Sequence, residues 1–85
     1  MNLQDKVVVI TGARSGIGAA CVDRFRAFGA RVEAWDRSPV ADPDTDDLVG
    51  RVVDVSSASA VAEAATAAAN RWGGVDVLVN CAGII

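Results

Sequence analysis

The segment Thr11-Gly12-Ala13-Arg14-Ser15-Gly16-Ile17-Gly18 joins an apolar, β-branched run to a helical pattern. A turn of that kind suits phosphate binding. Gly12 permits a tight exit from a strand, Gly16 lets the backbone approach a pyrophosphate, and Gly18 lets the following helix pack closely on the sheet. Backbone N–H groups at the helix start, reinforced by the positive end of its dipole, would hold the anion. The glycines alone are weak evidence, and a plain strand-to-helix turn is the competing reading. Asp36 adds weight to the first reading. It ends the next strand, where a carboxylate accepts hydrogen bonds from the adenosine ribose hydroxyls. Its charge opposes a 2′-phosphate, which favours NAD over NADP. The plainer reading of Asp36 is a solvent-facing aspartate at a turn.

These residues need a scaffold that brings them together. Lys6-Val7-Val8-Val9-Ile10-Thr11 reads as a strand buried on both faces. From Gly16 to Phe28, Ile17, Ala20, Cys21, Phe25 and Phe28 recur in steps of three and four, which predicts a helix with those residues on its buried face. Gly29 is placed to stop it in a left-handed conformation. Arg31 to Asp36 reads as a second strand and Arg51 to Val55 as a third. A second helix is expected from Ser57 to Trp72, with Val61, Ala64, Ala65, Ala68 and Trp72 inward. Ser56 or Ser57 caps its start and Gly73-Gly74 ends it. Val75 to Asn80 is the fourth strand. Arg37 to Gly50, with both prolines and Asp42, Asp44, Asp46 and Asp47, reads as loop with one turn near Asp46-Asp47-Leu48.

The element order implies an α/β fold: a partial Rossmann-type parallel sheet of four strands and two main helices. Right-handed crossovers lead to strand order 3-2-1-4. The reversal between strands one and four opens a ligand crevice at their carboxyl ends.

Composition narrows the function classes. The chain has 85 residues, 52% hydrophobic and 22% charged, which describes one small packed domain. Eight basic and eleven acidic residues give a net charge of −3 with no basic cluster, against nucleic-acid binding. No apolar run is long enough to cross a membrane. Cys21 and Cys81 make no disulfide framework, and the first residues lack signal-peptide character, so a cytoplasmic location is expected. Histidine and tyrosine are absent, so the chain offers no histidine base, histidine metal site or tyrosine acid.

Thr11-Gly12-x-x-x-Gly16-x-Gly18, Asp36, Asp54-Val55 and Asn80-Cys81-Ala82-Gly83 together resemble the N-terminal half of a short-chain dehydrogenase/reductase, and the resemblance covers the whole chain. It implies an NAD(P)-dependent oxidoreductase that passes hydride between nicotinamide and an alcohol or ketone. Arg14, Ser15 and Ile17 would line the ribose and phosphates. Asp54 would accept from the adenine amino group, with the Val55 N–H on a ring nitrogen. Asn80, Ala82 and Gly83 would floor the site beside the nicotinamide-side ribose, and Thr11 would tie the first turn to that loop. Plainer readings stand beside these: Asp54 caps the second helix, and Asn80 satisfies backbone groups at a strand end. The resemblance also implies a homo-oligomer for a full-length form.

The sequence departs from the family pattern in several places. Cys81 stands where the family often has a second asparagine, and both cysteines are expected to be apolar packers. Arg14 lies one position before the site where NADP-preferring members carry a basic residue. Arg37, next to Asp36, leaves some NADP use open. The stretch between strands two and three is too short for the family's usual helix. No tyrosine–lysine pair exists here, because the single lysine is Lys6. The 85 residues are therefore expected to be the cofactor-binding part, with no catalytic residue of their own and no metal site. The competing readings are a truncated, non-catalytic nucleotide-binding or interaction module and, against the Asn80-to-Gly83 turn, a methyltransferase.

Overall fold

Successive side chains of a strand point to opposite faces, so a β-branched run such as Val7–Thr11 must be covered on both. In a computed structural model, which describes residues 2–40 and 44–82, it is. The elements are β1 (Val7–Thr11), α1 (Gly16–Ala27), β2 (Arg31–Asp36), β3 (Leu48–Val52), α2 (Ala58–Trp72) and β4 (Val77–Asn80). All strands are parallel, in order β3-β2-β1-β4, as the sequence predicts. Every residue of β1 is buried. Val8 and Ile10 pack with Val32, Ala34, Leu48 and Val22 on the α1 side. Val9 packs with Trp35, Val53, Ala64 and Ala68 on the α2 side.

Four expectations need correction. The third strand is Leu48–Val52 rather than Arg51 to Val55. Its ladder runs from Val32↔Leu48 to Asp36↔Val52, and β2 has no residue beyond Asp36 to pair with Asp54 or Val55. The expected turn at Asp46-Asp47 does deliver the chain, through an antiparallel bridge from Thr45 to Leu48. Gly50, which looked like a loop boundary, lies inside β3, where a Cβ would come 3.2 Å from that of Val40.

The buried face of α1 is also rotated from the expected one. Gly18 and Val22 are buried, Cys21 and Phe25 are half-buried, and Ile17, Ala20 and Phe28 are exposed. Close approach, not hydrophobicity, sets the roll. Any side chain on Gly18 would overlap the Gly12 carbonyl oxygen, so the helix turns its Gly18 edge inward and rolls Ile17 out.

On α2, Ala64 and Ala68 are buried while Ala65 is exposed, because the inward stripe is narrower than the run of alanines suggests. The fourth strand starts at Val77 rather than Val75. The residue before it, Asp76, clasps β1 instead: its carboxylate accepts from the Val7 N–H at 2.8 Å and its own N–H donates to the Val7 carbonyl at 2.9 Å.

Candidate dinucleotide site at the strand ends

β1 delivers the chain to Gly12, whose φ of +66° is a conformation glycine adopts cheaply. A Cβ there would meet the Ala82 nitrogen at 2.8 Å, so the β4 exit loop lies directly against this turn. Ser15 then caps α1. Its hydroxyl donates to the Gly12 carbonyl at 2.7 Å and accepts from the Gly18 N–H at 3.0 Å. The Ser15 N–H bonds the same carbonyl, and the Ala13 N–H bonds the Trp35 carbonyl, both at 3.0 Å. Among the described residues, no acceptor takes the N–H groups of Gly16 and Ile17. A Cβ on Gly16 would meet nothing within 4 Å. Two free donors at a helix N-terminus beside open space form a cradle of the right chemistry for a phosphate.

Asp36 closes β2 next to this turn. Its carboxylate accepts from the Arg14 N–H and the Ser38 N–H, each at 3.0 Å. Two backbone donors fix its orientation, and a carboxylate has acceptor capacity left for a ligand hydroxyl.

Asp54 lies past the end of β3, exposed. It accepts from the Ser56 N–H at 2.9 Å and the Ser56 hydroxyl at 2.6 Å. These bonds, the hydroxyl one foremost, hold its pKa below the ordinary carboxylate value, with the Arg37 charge adding a little. The helix cap is Ser57, which accepts from the Ala60 N–H at 3.2 Å. Asp54 therefore shapes the turn ahead of the helix and does not cap it.

At β4, the Thr11 hydroxyl donates to the Asn80 side-chain oxygen at 2.7 Å and accepts from the Ala82 N–H at 3.3 Å. This joins the first turn to the fourth-strand loop, as the sequence suggests. Among the described residues, the Asn80 side chain is held by the Thr11 hydroxyl and not by strand-end backbone groups. Gly83 lies outside the described residues.

Of the residues singled out from the sequence, Gly12, Ser15, Asp36, Arg37, Asp54, Val55 and Ala82 line one cavity of about 380 Å³. That volume is in the range of small-molecule sites. Arg14, Gly16, Ile17 and Gly18 lie along the adjoining turn and first helical turn. Sequence reasoning missed Val53 and Ser56, which complete the wall. Their position on either side of Asp54-Val55 was the available signal. Cys81 also lines the cavity and is otherwise buried; burial, with Cys21 alongside, raises its thiol pKa above the ordinary value. A wider cleft of about 590 Å³ lies at the opposite, amino ends of the strands, lined by Asp5, Arg31 and Arg71 among others. It has no glycine cradle, and ligands of such sheets bind at the carboxyl ends.

No group of three or more potential metal ligands occurs among the described residues, and no helix there is long and apolar enough to cross a membrane.

The family model for short chain dehydrogenase matches residues 6–85. Cis-2,3-dihydrobiphenyl-2,3-diol dehydrogenase of Paraburkholderia xenovorans (strain LB400) is 42% identical, aligned over 99% of this chain and 32% of its own length. Sorbitol-6-phosphate 2-dehydrogenase of Klebsiella pneumoniae is 38% identical, over 99% and 32%. Among solved structures, a short chain dehydrogenase from Leptospira borgpetersenii with bound NAD+ superimposes with a TM-score of 0.85 at 31% identity, over 98% of this chain and 33% of that one. The 3-ketoacyl-(acyl-carrier-protein) reductase from Brucella melitensis, complexed with NADH, gives 0.82 at 37% identity, over 89% and 34%. The chain spans about a third of the length of the curated relatives it matches.

Proposed function

The chain belongs to the short-chain dehydrogenase family, and we propose that it forms the NAD-binding part of an oxidoreductase acting on an alcohol or ketone. The observation that carries this is the meeting of the Gly12-to-Gly18 turn with Asp36 and Asp54 around one cavity. The free Gly16 and Ile17 N–H groups bind the pyrophosphate. Asp36 accepts from the adenosine ribose, and Asp54 with the Val55 N–H receives the adenine edge. Asn80 and Ala82, with Gly83, take the nicotinamide-side ribose. Arg14 and Ser15 flank the phosphates, and Gly12 and Gly18 hold the turn against β4 and α1. Bound nicotinamide would supply the hydride chemistry.

NAD is preferred because a 2′-phosphate would meet the Asp36 carboxylate, which two N–H groups hold in place. Arg37, exposed beside it, gives NADP a weaker foothold. The 85 residues by themselves bind without turnover. They contain no tyrosine or histidine, and Lys6 lies before β1, at the opposite end of the strand from the cavity.

Titrating the chain with NAD, NADP and S-adenosylmethionine side by side tests the proposal. The expected order is NAD tightest and S-adenosylmethionine absent. Preference for NADP would refute the role given to Asp36, and preference for the adenosyl ligand would refute the function.

A further inference from the structure

Glu33 is fully buried in the middle of β2, and it does not line the cavity described above. Both of its oxygens are occupied. One accepts from the Trp35 indole N–H at 2.9 Å and from Arg51 Nε. The other accepts from Arg51 Nη2 at 3.0 Å and the Trp72 indole N–H at 2.8 Å. The donors come from β2, from β3 and from the last residue of α2. Apolar residues of similar volume commonly stabilise a core as well as a buried ion pair does. What a carboxylate adds is direction, because hydrogen bonds weaken steeply away from their preferred geometry.

α2 needs direction. Its buried residues are Ala64 and Ala68, two methyl groups, with Ala60, Val61 and Trp72 half-buried against the same cluster. Among the described residues, the Trp72–Glu33 bond is the only side-chain hydrogen bond between α2 and the sheet. The corner that carries Asp54, Val55 and Ser56 leaves β3 and enters α2, so each of its ends belongs to an element that Glu33 holds.

We propose that Glu33 is a positioning residue: by pinning β3 and α2 to β2 in one register, it places the Asp54–Ser56 wall of the dinucleotide site. The same carboxylate fixes Trp35, whose carbonyl holds the Ala13 N–H of the glycine turn. The effect on ligand binding rests on the function proposed above; the pinning itself does not.

Two variants test it, Glu33→Gln and Trp72→Phe. The second keeps a six-membered aromatic ring at the helix end and removes the N–H with the small ring that carries it, so it decides the matter if the first fails to fold. Amide hydrogen exchange is followed at Val53, Ser56 and Ser57, with Val8 and Ile10 as reporters of global opening. NAD affinity is measured on the same samples. Exchange at the corner should quicken roughly tenfold relative to the central strand, the scale of one lost directional hydrogen bond. The NAD dissociation constant should rise by a similar factor. Corner amides that stay as in the parent chain, or quicken only in step with Val8 and Ile10, would overturn the proposal. A loosened corner in a protein whose parent form binds no NAD would sustain the pinning and sink the functional reading instead.

Discussion

Glycines at the first turn have separable tasks, and substitution distinguishes them. Gly16 faces open space, so Gly16→Val should leave the fold intact and sharply weaken NAD binding. Gly12 has a positive φ and abuts the Ala82 nitrogen. Gly12→Ala should therefore destabilise the chain, by about 1–2 kcal/mol from the left-handed backbone alone and more from the contact. Denaturant unfolding and NAD titration of both variants check the contrast. A Gly16→Val chain that folds and binds normally would show the turn to be structural only. At Asp36, replacement by serine should weaken NAD and improve NADP relative to it, measured as a ratio of dissociation constants. An unchanged ratio would move the selectivity to Arg14 or Arg37.

At the scale of elements, what the sequence revealed tracks what is local. The β1 run, the β2 bounds and the glycine stops at Gly29 and Gly73 follow from short-range chemistry and stand where expected, and Ser57 is the one of the two candidate serines that caps α2. The roll of α1 and the start of β3 do not follow from it. The first depends on the close approach of Gly18 to Gly12, the second on where β2 ends and on Val40 lying over Gly50. The candidate site residues were legible as a set because they lie at or just past strand ends, or in the turn and first helical turn that follow β1. The Glu33 cluster was not, because two of its three partners, Arg51 and Trp72, lie 18 and 39 residues away.

Ser57→Ala should cost about 1 kcal/mol through the lost cap, read as a shift in the unfolding midpoint. The turn before β3 gives an acid-dependence. The Thr45 hydroxyl, then Arg26, lower the Asp47 pKa below its ordinary value of 3.8. A lowered folded-state pKa contributes stability above the unfolded value, and that contribution is lost as pH falls from there through the folded value. Asp47→Asn should therefore flatten the loss of stability in acid; an identical acid slope would show that this turn carries none of it.

For the molecule as a whole, strand order places β4 at an edge, where unpaired backbone groups offer a template for another strand. Leu78 is 65% exposed and Val75 44% exposed beside that edge. The 85-residue chain should self-associate, and Leu78→Lys should reduce association in sedimentation, since a charged edge resists pairing. A parent chain that is monomeric at high concentration would contradict this. If the glycine turn, Asp36 and the Asp54 corner form one dinucleotide site, a residue-resolved titration of the chain with NAD will report on all three at once. Amide resonances should shift at Gly12 to Gly18, Asp36, Asp54, Val55 and Asn80 to Ala82, saturating together. No binding, or shifts confined to Arg31, Arg71 and Trp72 at the opposite end of the sheet, would contradict a single site there.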